Sequence, residues 1–209
     1  MWRLNIYHNK FMIKVFGPLF GLISVIVYFS GIYLASILFT GFDFNCMISW
    51  LGGEYSPGAI FFNLGVFSSG FLAIPLYMHI NRTLGVDHTK FNLKKAAITS
   101  ALISCVFFSL IGLFPSLIFN TLYYYLHGII FLICMITAIT YLFLYSILFL
   151  NNNHFHRFLS YLGFITILVI ILFLVTWIPV IEWIMTITIG IWVVSISIYL
   201  LLKTTRLIS

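Results

Sequence analysis

The chain has 209 residues, is 63% hydrophobic and 7% charged, and carries a formal net charge of +6. Soluble domains carry about 25% charged residues, so this much apolar surface excludes a soluble fold and must face lipid. The positive excess does not point to nucleic acid, because the basic residues sit singly or in pairs at the ends of apolar runs, where membrane topology accounts for them.

Six apolar stretches follow one another, at about 17–40, 58–80, 95–114, 122–149, 158–178 and 183–202, each near the about 20 residues that cross a bilayer as helix. The expected fold is all-α: a polytopic membrane protein, a six-transmembrane-helix bundle forming a single domain over residues 1–209. Long unbroken apolar runs exclude a closed β-barrel, whose strands alternate apolar and polar residues. The first stretch is too long for a signal-peptide core and reads as a retained anchor. Its Pro18 is expected at the helix start, where a missing N–H is harmless.

Helix one carries Gly17, Gly21, Ser24, Gly31 and Ala35 along one face. Helix two carries Gly58, Gly65, Ser69 and Ala73, and helix three Ala97, Ala101, Cys105 and Gly112. Small residues let membrane helices approach closely, so these helices are expected at the packing centre, and the same faces would serve a membrane-protein partner. Pro75 is expected to kink helix two. Helix five reads ITILVIILFLV, uniformly bulky, and is expected at the lipid-facing periphery.

Orientation follows from charge. Arg3, Lys10 and Lys14 precede helix one; Arg82, Lys90, Lys94 and Lys95 lie between two and three; Arg157 lies between four and five; Lys203 and Arg206 follow six. Asp43, Glu54 and Glu182 occupy the opposite connections, leaving Asp87 as the one inner acid. The positive-inside rule then places both termini in the cytoplasm, N-in and C-in. The outer connections shrink from about seventeen residues to about seven and about four, so consecutive helices are antiparallel neighbours. Trp50, Trp177 and Trp183, with Tyr123, Tyr124 and Tyr125, fall at the outer boundary as an aromatic belt. Of the three cysteines, Cys46 has no outer partner, which leaves no disulfide framework, and Cys105 and Cys134 read as packing residues.

Polar residues gather on the outer side. The segment ISWLGGEYSPGAIFFNLG holds Ser49, Glu54, Ser56 and Asn63. Its Pro57–Gly58 turn opens a helix whose N-terminus either takes an anion or is capped by Ser56. Asn63 and His127 lie at similar depth below the outer surface and either share a pocket or form an interhelical hydrogen bond. His127 is the candidate for proton transfer or ligation, with Asp43 and Glu182 as outer-rim carboxylates. No HExxH, paired-His metal spacing or GxSxG occurs, and no cofactor or metal is implied. His154 and His156 read as part of a solvated inner turn, and His79 as an interfacial residue near lipid phosphates.

The order of Gly17-Pro18, Ser49 with Leu51-Gly52, Pro57 with Asn63 and Gly65, Gly70, Gly112 with Phe114-Pro115, then His127, resembles an uncharacterised six-helix membrane family. It is known as domain of unknown function 998 and is itself distantly similar to DRAM-type proteins. The resemblance covers nearly the whole chain. It implies a bacterial or archaeal cell-membrane protein, a six-helix fold and, through the DRAM-type likeness, lipid organisation or remodelling. The chain departs from the family pattern at Glu182-Trp183 and at the apolar SLIFNTL segment. The functional expectation is a lipid-handling protein whose site, Ser49, Glu54, Asn63 and His127, opens to the outer half of the bilayer. Two alternatives stand beside it: a non-catalytic subunit or assembly factor of a larger membrane complex, and an intramembrane lipid hydrolase or transferase using His127.

Overall fold

The computed structural model describes residues 2–85, 91–116, 120–152 and 155–206, with side chains between Val15 and Thr204. Lys90, Asp87 and His154 lie outside the described residues, as do the side chains of Arg3, Lys10, Lys14 and Arg206. Six α-helices make up the bundle: α1 Trp2–Leu38, α2 Ala59–Thr83, α3 Phe91–Leu113, α4 Thr121–Leu150, α5 Arg157–Thr176 and α6 Pro179–Arg206. A short 3-10 helix, η1 (Ile48–Gly52), interrupts the α1–α2 connection. All six α-helices are long and apolar enough to cross a membrane, and no strand occurs among the described residues.

Each helix packs on its neighbours in sequence, and α6 returns to α1, so the six close into a ring. One end carries η1 and the α1–α2, α3–α4 and α5–α6 connections; we call it the capped end. The other carries both termini and most of the basic residues; we call it the basic end.

Backbone proximity closes the ring. A Cβ on Gly31 would sit 2.8 Å from the Phe61 carbonyl oxygen and 3.1 Å from Gly65 Cα, and one on Gly58 would sit 2.6 Å from Ala35 Cα. With Gly17 against Pro75 and His79, these contacts set α1 antiparallel to α2 along its length. Gly70 lies against the Cys105 carbonyl, Gly112 against Phe67, and Gly190 against Phe29. Lipid tails are as apolar as leucine, so these close approaches take the role that burial plays in water. The small face of α1 is thereby filled from within the chain.

Three expectations are corrected. Pro18 lies well inside α1, because the helix begins at Trp2 rather than near residue 17. Ser56 does not cap α2: Gly58 is the N-cap, and the Ser56 hydroxyl is buried without a hydrogen-bond partner. Gly58 itself packs against the Ala35 backbone. Third, α5 is not a bare lipid-facing rod. In its apolar stretch 39% is buried, the share found in α3 and α4 and more than the 28% of α1. Its buried side runs through Leu159, Ser160, Gly163, Thr166, Ile167, Ile170 and Phe173, partly within the bulky run itself, with Gly163 against Ser146 and Trp192.

Aromatic side chains fill the ring from its middle to the basic end. Tyr77 of α2, Tyr141 and Tyr145 of α4 and Trp192 of α6 meet there at centroid distances of 5.1–6.4 Å. Phe149 and Phe155 continue the column, stacked at 4.3 Å. Tyr77 donates to the Tyr141 hydroxyl at 3.0 Å, and the Trp192 indole N–H donates to the Leu159 carbonyl at 3.3 Å.

Replacing Gly31 by Leu drives a side chain into the α2 backbone and is expected to lower stability by about 1–3 kcal/mol or more. Gly128→Leu is the matched control, since nothing lies within 4 Å of a Cβ there. Thermal unfolding in detergent should show a lowered midpoint for the first and little change for the second.

Candidate functional site

The capped half of the ring is hollow. A cavity of about 140 Å³ is walled by α1, α2, α3, α4, α6 and η1, and α5 contributes nothing to it. Its residues recur at helical spacing: Ser24 and Tyr28; Phe62, Val66, Ser69, Ala73 and Tyr77; Ser104, Cys105, Phe108 and Ile111; His127, Phe131, Cys134, Ala138 and Tyr141; Glu182, Met185, Thr186, Ile189 and Val193. Each helix therefore turns one stripe inward. The Tyr77–Tyr141 pair forms the floor and η1 the roof.

Glu182 is the main surprise. Its place in a sequence-read outer loop made it a rim carboxylate. α6 instead begins at Pro179, a residue suited to the first helical position, which puts Glu182 in the first turn. The α5–α6 link shrinks to Trp177 and Ile178, and Trp177 takes the left-handed conformation, φ 52°, to end α5. Glu182 is 6% exposed, lines the cavity, and accepts the Ile48 backbone N–H at 2.7 Å. Its carboxylate thus holds the N-terminus of η1. No Lys or Arg lines the cavity.

The other sequence candidates divide. Ser49 lies in the cavity wall. His127 does as well, with its Nδ1–H donating to the Phe114 carbonyl at 2.8 Å across the α3–α4 turn. In the neutral ring that bond fixes the tautomer and leaves Nε2 as an acceptor. Asn63 is not in the wall. Its amide donates to the Gly52 carbonyl at 3.1 Å, pinning η1 to α2, and its Oδ1 is buried without a donor. The structure therefore does not bring Asn63 and His127 into one pocket: the amide is committed to the roof, the imidazole to the next connection. Glu54 is exposed on the capped end outside the cavity. Asp43 is exposed as well; the Asn45 backbone N–H at 2.8 Å and the Asn45 amide at 3.3 Å hold its carboxyl below the usual carboxylate range.

Trp183 also departs from its expected belt position. It is half-buried, donates to the Cys46 carbonyl at 3.2 Å and packs on Phe42 and Phe44. Trp50, Trp177, Tyr124 and Tyr125 are exposed at the capped end, where an interfacial belt belongs. Cys105 and Cys134 are buried and Cys46 half-buried, all three as free thiols. His156 is the N-cap of α5, its Nδ1 accepting from the Phe158 N–H. His79 packs against Gly17. No cluster of three or more His, Cys, Asp or Glu occurs among the described residues.

Sequence reasoning missed Tyr28, Thr186, Tyr77 and Tyr141. The signal for α6 was the spacing of Glu182, Met185, Thr186, Ile189 and Val193, legible only once the helix is begun at Pro179. No protein-family model, curated protein or solved structure matches the chain.

Glu182→Ala leaves the Ile48 N–H buried and unpaired, and is expected to cost about 1–3 kcal/mol. Glu182→Gln keeps an acceptor and should retain most of that stability. Chemical denaturation of both variants, with hydrogen exchange at Ile48, measures the difference; equal stability of the two would show that the carboxylate does not hold η1.

Proposed function

We propose that this chain is an integral membrane protein that holds a lipid, or another amphiphile, in the cavity of its capped half. Both termini face the cytoplasm of a cell membrane, so the cavity lies in the outer half of the bilayer. One observation carries the reading: the ring is packed with aromatics from its middle to the basic end and hollow at the other, with walls that are mostly apolar and a few polar groups at the top. That is the composition of a small-molecule site. An engineered cavity of about 150 Å³ takes benzene, so the occupant inserts one chain or a small head rather than a whole two-chain lipid.

Orientation rests on the distribution of Lys and Arg. The likeness to domain of unknown function 998 belongs to the proposal too, and supports topology rather than activity. A subunit role calls for a filled bundle with a free small-residue face, whereas the α1 face is occupied by α2 and α6. A hydrolase or transferase role calls for a nucleophile or metal at His127, whose hydrogen bond instead goes to the Phe114 carbonyl.

Detergent-free purification in native nanodiscs, followed by mass spectrometry, should recover bound amphiphile with the natural chain. Ala73→Phe combined with Ala138→Phe fills the cavity and should lower retention at least tenfold without lowering the melting temperature. Equal retention by the filled, folded variant would remove the reading. For orientation, a single cysteine at Phe44 should react with a membrane-impermeant maleimide on intact cells, and one at Lys95 should not; the reverse pattern would invert the topology.

A further inference from the structure

Among the described residues, Glu182 is the one acidic side chain in the cavity wall, buried, with no Lys or Arg in the same wall. His127, the other ionisable group near the roof, donates its Nδ1–H to the Phe114 carbonyl. The acidic group of the wall thus faces no Lys or Arg among the described residues. Tyr28 of α1 and Thr186 of α6 line the same cavity as the carboxylate. The Tyr28 ring meets Phe108 edge-on at 5.3 Å and Phe29 at 5.5 Å. Phe62 and Phe131 continue this aromatic wall.

A buried carboxylate without a countercharge bears a large desolvation cost, which a cation inside the same cavity offsets. Aromatic faces add attraction for a cation, most of all for an alkylammonium shielded from water. An anionic head meets repulsion from Glu182 and finds no Lys or Arg to answer it among the described wall residues. Below Glu182 the wall is mostly apolar, through Met185, Ile189, Ala138 and Val66, with the Ser24, Ser69 and Ser104 hydroxyls bonded to backbone carbonyls, down to the Tyr77–Tyr141 floor.

The geometry points to a cationic amphiphile as the occupant, its ammonium head beside Glu182 and Tyr28 and its chain descending between α2, α3, α4 and α6. This rests on the reading of the cavity as an amphiphile site and names the class of head it selects. Glu182 then has two tasks, holding η1 through Ile48 and facing the cation.

The test uses the full chain in nanodiscs of zwitterionic lipid and three probes of equal, short chain length suited to a cavity of about 140 Å³: butyltrimethylammonium, butanol and butyl phosphate. Binding is read from tryptophan fluorescence, and the cavity-filled Ala73→Phe/Ala138→Phe variant corrects for partition into the bilayer. The cation is expected to bind at least tenfold more tightly than the alcohol or the phosphate. Glu182→Gln, which retains an acceptor for Ile48, should bring the cation-to-alcohol ratio close to one. Equal affinity for cation and alcohol in the natural chain, or preference for the phosphate, overturns the inference while leaving the amphiphile reading intact. Binding of all three that is unaffected by filling the cavity overturns both. The ranking in the natural chain decides the matter even if Glu182→Gln folds poorly.

Discussion

Everything in this bundle depends on how closely its backbones approach one another. Inside a bilayer no hydrophobic gain draws one apolar helix to another, so helix pairs are held by dispersion and by contacts that only small side chains permit. The run from Gly17 to Gly58 places α1 and α2 in backbone contact from one end to the other. Gly70 and Gly112 do the same for α2 and α3. A ring of six helices joined in order by short connections has a lumen by construction. The aromatic side chains of α2, α4 and α6 fill it over roughly half its depth.

The polar residues of the capped end share one physical role. Asn63 binds the Gly52 carbonyl, Glu182 the Ile48 N–H, Trp183 the Cys46 carbonyl and His127 the Phe114 carbonyl. Each takes a connecting segment and fixes it to a helix. Irregular backbone at a membrane surface leaves peptide groups without partners, and side chains from helix ends supply them. Residues that look functional because they are polar and near the surface are thus also the fasteners of the roof. Only those that line the cavity as well, Glu182, His127 and Ser49, can act on something inside it.

Much of the architecture was legible in the sequence because bilayer thickness and hydropathy impose it. Six spans and the antiparallel order of neighbours appear as read, and the small faces of α1 and α2 lie at a helix contact. The site was only partly legible, for two local reasons. The start of α6 was placed at Trp183 rather than Pro179, and that displacement turned a buried carboxylate into a rim one. Asn63 and His127 share a depth but face different neighbours, and depth along an axis says nothing about rotation around it. Helix five misled in a related way: part of its bulky run, Thr166, Ile167, Ile170 and Phe173, shares a buried side with Ser160 and Gly163, visible only when the residues are wound onto 3.6 per turn.

The uneven filling of the ring argues against the cavity being mere looseness. At about 24 cal/mol per Å³, an unfilled 140 Å³ would forgo about 3 kcal/mol of packing. Elsewhere the same chain packs closely enough that glycine is required at Gly58, Gly70 and Gly112. A few larger side chains along the inward stripes, at Ser24, Ser69, Ala73, Ser104 or Ala138, would close the lumen, and every one of these positions holds a small residue. Ser104 also bonds the Cys134 carbonyl across α3 and α4, yet all five residues border the open space. Five small residues on four helices border one space, under a roof held by a buried carboxylate, and the proposed amphiphile site rests on that arrangement.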